Sequence, residues 1–454
     1  MRTHRQLAVA TATALSLTGG LLALTAGTAT AAPAKYADDF NGDGYRDYAT
    51  GEWGAVTVTY GTATGPGPKT VRFTQASPNI PGTAGDAGGY ADGFGGQVAN
   101  ADLNRDGYAD LAVADRSEKV GTKAGAGAVT ILWGAKAGLG AKATRLPAKS
   151  SFAFGAALAA GDFTGDGRPD LAVADTTGTL FVYRGGFSSS GTTGSVTRLE
   201  VSPSGAEVLD PSAIVTGRVT KDSAVDLYVL GQGYKDGRLT QAAWFVQGGS
   251  TPRRGKYTTY NATQVDFGNV GVIADFDKNG YGDLAVSDTP YNKGAGAVVV
   301  LRGGATGPTT SYRLTQSTSG VATAAGPHDR FGYALSAGDT NRDGYPDLAV
   351  GVPEEEAGAV ESAGGVHVLR GGRSGLTGTG SQWFTRATAG VPGSASEAEM
   401  LGLYVRLRDL DRDGDADLLA SGDLYRTGVL LRGSAQGVTT SGAAESDLDP
   451  TFPQ

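Results

Sequence analysis

The sequence predicts an all-β chain folded as a seven-bladed β-propeller of four-stranded blades. Three observations carry this. An acidic loop pattern returns seven times at intervals of 56 to 70 residues. Two strand-flanking landmarks travel with it. Glycine supplies 73 of 454 residues and cysteine none, a composition of tight turns and strands held by something other than disulfides.

The N-terminus reads as an address. Arg2 and Arg5 precede an uncharged stretch from Gln6 to Ala34, and Ala29-Thr30-Ala31 has the small-x-small form of a processing site. A secretory signal over 1–31 is expected, with an uncleaved anchor as the alternative. Residues 32–454 then form a single seven-bladed propeller, expected to be soluble, extracellular and monomeric. No later stretch is long and apolar enough to span a bilayer.

The acidic pattern begins at Asp39, Asp102, Asp162, Asp275, Asp339 and Asp409, with a decayed copy from Arg218. Phe94-Gly95, Phe154-Gly155, Phe267-Gly268 and Phe331-Gly332 each start eight residues before their loop; Leu401-Gly402 holds that place before Asp409. After the loop comes Leu-Ala-Val in four copies, apolar on both faces, as for a strand inside a stack of sheets. A third run follows, such as Val129–Trp133 or Val298–Arg302. Strand, acidic loop, strand, variable loop, strand, turn, strand is the order of a propeller blade.

Within each loop, oxygen-bearing side chains stand at positions 1, 3, 5 and 9, glycine at 6, and a backbone carbonyl is available at 7. That alternation suits a hard cation with about 6–8 oxygen ligands, so Ca²⁺ is expected at about six sites. The candidates are Asp39, Asn41, Asp43, Tyr45 (carbonyl) and Asp47 in blade 1, and Asp102, Asn104, Asp106, Tyr108 and Asp110 in blade 2. Blade 3 offers Asp162, Thr164, Asp166, Arg168 and Asp170; blade 5 offers Asp275, Asp277, Asn279, Tyr281 and Asp283. Blade 6 offers Asp339, Asn341, Asp343, Tyr345 and Asp347; blade 7 offers Asp409, Asp411, Asp413, Asp415 and Asp417. The glutamate that closes an EF-hand at position 12 is replaced by strand residues such as Val113, so the position-9 Asp is expected to close the site. By carboxylate count the Asp409 loop should bind tightest and the Asp162 loop weakest. In blade 4, Arg218 and Ser223 replace the first Asp and the Gly. Either the Arg218 guanidinium bridges Asp222 and Asp226, or the loop is simply solvated.

These landmarks resemble FG-GAP repeats, which build the propellers of integrin α subunits and many bacterial secreted proteins. The resemblance spans nearly all of 32–454. It departs at Asp210-Pro211, where Phe-Gly is expected, and before Asp39, where a full first strand has no room; the C-terminal tail could supply that edge. The resemblance implies a metal-loop face and an opposite partner face, there carrying the long loops Arg116–Lys123, Thr289–Lys293 and Pro353–Ser362. Tyr291 and Glu354–Glu356 are candidates on it, the glutamates alternatively a solvated loop.

Composition narrows function. An acidic chain, formal charge −8, without basic runs is a poor nucleic-acid binder. Only His328 and His367 lie beyond residue 31, and no nucleophile motif accompanies them. Arg184, Arg302, Arg370 and Arg432, each before a glycine, suggest either an anion ring or pairing with loop carboxylates. Asn261-Ala262-Thr263 is a glycosylation sequon by pattern. The expected role is a binding or adhesion module for an extracellular protein, glycan or cell-surface component. A secreted hydrolase on the same scaffold is the alternative, and a purely structural module a third. Trp53, Trp133, Trp244 and Trp383 share no phase, giving a lectin reading little support.

Overall fold

The computed structural model describes residues 32–85, 93–202, 207–235, 237–261, 270–422 and 427–452. The expected signal segment, Phe267-Gly268, and Ala262 and Thr263 of the sequon lie outside the described residues. Seven antiparallel sheets follow one another along the chain, each ordered from first strand to last. Blade 3 is typical, with Ala157–Gly161 innermost, then Asp170–Ala174, Thr179–Tyr183 and Val196–Glu200.

The sequence explains the packing. The second strands Asp110–Asp115, Asp170–Ala174, Asp283–Ser287 and Asp347–Val352 are buried at every residue. Both faces are apolar because each is pressed between neighbouring blades. Phe94, Phe154 and Phe331 are likewise buried. Their glycines must follow: Gly95 has φ 93°, and a Cβ there would stand 1.9 Å from the Ala55 carbonyl oxygen.

The inner strands surround a cavity of about 680 Å³ lined by Ala99, Ala159, Ile214, Val272 and Leu335. Blade 1 has three strands, Tyr48–Glu52, Ala55–Thr62 and Gly65–Phe73, with no inner strand among the described residues. Ala37 and Thr451 face the cavity in its stead. Phe452 is buried edge-on against Tyr48, with centroids 5.1 Å apart, and Arg406 donates to the Pro450 and Phe452 carbonyls. Arg408 pairs with Asp38 across the same seam. The C-terminal tail does fill the gap, but by packing and not as a strand.

Blade 4 stands apart. Its first three strands, Val208–Gly217, Asp226–Lys235 and Arg238–Gln247, have ten residues each, twice those of blade 3. Asp210-Pro211 lies inside the inner strand, at a register shift between Pro211 and Ala213. Where Phe-Gly would mark the start of a short strand, the sheet here runs on. Fully buried Tyr228, Trp244 and Phe245 fill this blade.

Candidate metal centres

The six acidic loops share one backbone. Position 4 is left-handed in each, at Gly42, Arg105, Gly165, Lys278, Arg342 and Arg412, with φ between 54° and 68°. The position-6 glycine is left-handed too, with φ from 77° to 97°. Two such residues around position 5 curl the loop inward. Position 1 then accepts the position-6 N–H: Gly44 to Asp39 at 2.8 Å, Gly107 to Asp102 at 3.1 Å, Gly344 to Asp339 at 2.7 Å. Gly167, Gly280 and Gly414 do the same with Asp162, Asp275 and Asp409. Position 5 accepts the position-7 N–H, as at Asp43 from Tyr45 (2.9 Å) and Asp413 from Asp415 (2.9 Å). The side-chain oxygens are thus held in register by the loop itself.

Position 9 does something the spacing does not announce. In all seven blades this Asp is buried and accepts the N–H of a glycine at the end of the third strand, just past it in six blades and its penultimate residue, Gly61, in blade 1. The distances run from 2.7 Å at Gly185 to 3.1 Å at Gly371. A Cβ on Gly134 or Gly371 would sit 2.1 Å from a carbonyl oxygen, so the strand end and loop touch only through glycine. The signal available in sequence was that recurrent glycine. Burial pushes these carboxyls up, Asp47 to about 7 and Asp110 to about 8.

The donors fit a hard cation. Asp283 is fully buried, and its Oδ2 has no hydrogen-bond partner among the described residues. Asp409 is half-buried, but its Oδ1 is a buried atom that likewise has no hydrogen-bond partner among the described residues. Carboxylate oxygens of Asp409, Asp411 and Asp413 lie within 4.8 Å of one another. Unpartnered buried carboxylate oxygens are costly, and a divalent cation is their natural complement.

The recurrent arginines pair with these loops. Arg184 reaches Asp166 (3.0 Å), Arg302 reaches Asp277 (2.9 Å), and Arg370 reaches Asp347 (2.9 Å). Arg432 reaches Asp411 (3.3 Å) and Asp417 (3.0 Å). The pairing alternative therefore holds, and no arginine ring is needed. Blades 1 and 2 carry Tyr60 and Trp133 at this place.

Position 4 also links neighbouring loops. Lys221 lies over the Tyr281 ring at 4.1 Å, Lys278 over Tyr345 at 5.1 Å, and Arg412 over Tyr45 at 4.5 Å. Where blade 7 has Asp415 in place of Tyr, Arg342 forms an ion pair with it at 2.9 Å and meets Asp413 at 3.4 Å. Sequence reasoning used position 7 only for its carbonyl and gave position 4 no role.

The Arg218 bridge is not what the structure shows. Arg218 is exposed and forms no ion pair with Asp222 or Asp226 among the described residues. Asp226 accepts from Thr220 (2.8 Å, hydroxyl) and Gly248 (2.9 Å), and Asp222 from Ala224 (3.1 Å) and Gln247 (3.3 Å). Backbone and neutral donors already satisfy both carboxylates, so the arginine has nothing to neutralise.

The opposite face is built differently. Trp53, Val120, Phe152, Val208, Tyr234, Leu239 and Tyr291 are the exposed large hydrophobics among the described residues. Each lies at the strand ends away from the acidic loops. Arg116, Lys123 and Arg313 lie over the rings of Trp53, Phe152 and Tyr291. The blade 4 hairpin tip, with Tyr234 and Leu239, was not anticipated. Trp133 and Trp244 are buried. His367 is fully buried, bonded to Thr323 and against Trp383, and burial depresses it to about 3. Asn261, of the sequon, is buried with its amide donating to Asp288. Glu355, on this face, is pushed up to about 7 by burial and by Asp329 beside it.

Ring, loops and faces define a seven-bladed propeller carrying acidic-loop repeats. Two repeat families match this chain: FG-GAP-like repeat over residues 102–173 and FG-GAP repeat over 331–369. The chain is a seven-bladed β-propeller that carries FG-GAP repeats over those residues. Curated relatives include phosphatidylinositol-glycan-specific phospholipase D of Rattus norvegicus, 30% identical over 181 residues, 38% of this chain and 20% of that protein. The Homo sapiens protein of the same name is 34% identical over 107 residues, 22% of this chain and 13% of that one. The chain thus spans about a fifth or less of these relatives. A solved Agrocybe aegerita lectin, described as recognising non-reducing terminal N-acetylglucosamine, aligns at TM-score 0.40 and 16% identity. That alignment covers 91% of this chain and 80% of the lectin. A likeness of that degree carries no functional implication.

Proposed function

We propose that this chain is a secreted, calcium-stapled propeller serving as an extracellular binding module. The observation that carries the binding reading is the gathering of every exposed large hydrophobic, among the described residues, on the face away from the acidic loops. Exposed apolar side chains confined to one face of a rigid scaffold favour that face as an interaction surface. Calcium would be held in each of six loops by the side chains at positions 1, 3 and 5 and the carbonyl at 7. The position-9 Asp, already braced to the third strand, would close each site. Bound ions would supply charge neutralisation and cross-linking, not chemistry. No helix among the described residues is long and apolar enough to cross a membrane.

The test uses mature protein in calcium against a panel of immobilised glycans and purified cell-surface proteins. Combined Trp53→Ser, Phe152→Ser and Tyr234→Ser substitutions should abolish retention while leaving the thermal transition in place. Arg105→Ser, on the metal-loop face, should leave retention unchanged. Retention that survives the triple variant sinks the reading.

A hydrolase is the second reading. The relatives' phospholipase name supports it, as does the contact of Glu355 with Asp329 on the partner face. Two carboxyls sharing a proton could act as acid and base. Turnover of phosphodiester, ester or glycoside substrates that is lost in Glu355→Gln would favour it.

A further inference from the structure

We propose that blade 3 carries a binding site for an acidic saccharide on the partner face. The proposal rests on reading that face as the binding face. A cavity of about 370 Å³ opens there, lined by Lys149, Phe152, Asp175, Thr177, Thr179 and Arg198. That volume lies within the range of about 300–1,000 Å³ usual for ligand pockets.

The floor is polar and fixed. Asp175 and Thr179 are buried. Asp175 Oδ1 accepts from the Thr177 hydroxyl (2.6 Å) and from the Thr177 (2.9 Å) and Thr179 (3.2 Å) N–H groups. Its Oδ2 accepts from the Ser150 hydroxyl at 2.6 Å. Both hydroxyls therefore spend their protons inward. Ser150 Oγ also accepts the Phe152 N–H at 3.2 Å and Thr177 Oγ1 meets the Thr179 hydroxyl at 3.0 Å, so one lone pair on each remains as an acceptor for a ligand hydroxyl.

The wall and rim add the rest. Phe152 is 56% exposed, an aromatic surface for the C–H face of a pyranose ring. Lys123 lies over that ring at 4.4 Å and is tied to Ser151 at 2.6 Å, which sets the ring's orientation. Lys123, Lys149 and Arg198 stand against Asp175 and the Arg198 partner Glu200, a local charge of about +1 in a chain of −8. Acceptor floor, aromatic wall and cationic rim together select a polyhydroxylated ring bearing a carboxylate or sulfate.

The experiment is calorimetric titration of the mature protein, in calcium, with digalacturonate, its neutral dimethyl ester and inorganic sulfate. Digalacturonate should bind at least tenfold tighter than either of the others. Lys149→Ala with Arg198→Ala should weaken it at least tenfold, and Phe152→Ala at least fivefold, with unchanged thermal transitions. Arg105→Ser, on the metal-loop face, serves as the control and should not change it. The proposal is overturned if digalacturonate does not bind, if the ester binds equally, if sulfate binds equally, or if the blade 3 variants bind as well as the parent. Retention on the glycan and protein panel, measured alongside, separates the two readings. Panel binding without digalacturonate binding removes only the saccharide site.

Discussion

Blade 4 and its neighbour blade 5 differ in the acidic loop and agree in how that loop is tied to the sheet. Blade 5 has a left-handed Lys278, a left-handed Gly280 and a first carboxylate, Asp275, that gathers the loop's N–H groups. Blade 4 has none of these; neither Lys221 nor Ser223 is left-handed. Yet Asp226 braces Gly248 at 2.9 Å as Asp283 braces Gly303 at 2.9 Å. The acidic loop therefore has two layers. The brace, position 9 and its glycine, belongs to the fold. The wrap, positions 1 to 6, is dispensable to the fold, and blade 4 has lost it. Blade 4 compensates with longer strands and a core of Tyr228, Trp244 and Phe245.

The largest expected effect is calcium removal. A site held at a hundredfold over its Kd contributes about 2.7 kcal/mol. Chelation should lower the thermal transition steeply, and an ion count should give about six, none at blade 4. An unshifted transition with no bound ion would reduce the wraps to plain turns.

Removing a brace should come next. Asp226→Ala and Asp110→Ala each leave buried N–H groups unpartnered, at about 1–3 kcal/mol apiece. In chelated protein the two should cost alike in denaturant unfolding. With calcium, Asp110→Ala should cost more, because it also loses a ligand. Equal costs in both conditions would make position 9 a brace alone.

The pH profile of chelated protein is a third probe. Asp110 and Asp47 are raised to about 8 and about 7 in the folded state, above their unfolded values. The folded state then binds more protons between pH 4 and 8, so stability falls as pH rises through that window. Calcium should abolish the fall. A chelated transition that is flat from pH 5 to 8 would contradict the burial argument.

Rebuilding the wrap in blade 4 sharpens the comparison. Arg218→Asp with Ser223→Gly should add one ion to the count and change stability by less than about 3 kcal/mol. A count that stays at six would show that loop curl, not charge, decides binding. The smallest effect is Arg342→Ala. This side chain is half exposed, so its pairs with Asp413 and Asp415 contribute under about 1 kcal/mol. Calcium affinity at blade 7 should rise slightly, read by competition with a chromophoric chelator.

Blade number, loop positions and the buried Leu-Ala-Val strands were legible because repetition and hydrophobic pattern are local. The pairing of Arg302 with Asp277 was legible as one of two alternatives. Of the two alternatives for blade 4 the arginine bridge fails, because Thr220, Gly248 and Gln247 reach those carboxylates only in the folded sheet. The position-4 contacts were invisible for the same reason. Lys278 and Tyr345 are far apart in the chain and meet only when neighbouring blades stand side by side.

The sequence by itself determined the repeat, the strand order and the oxygen spacing of each loop, since these depend on residues a few positions apart. Tertiary structure decided what lies between repeats: the position-9 brace to a strand end, the tail packed against Tyr48, and the single face on which Trp53, Phe152 and Tyr234 emerge. The physical reason is that closing the ring sets the distances between segments far apart in the chain, and no local pattern encodes those distances.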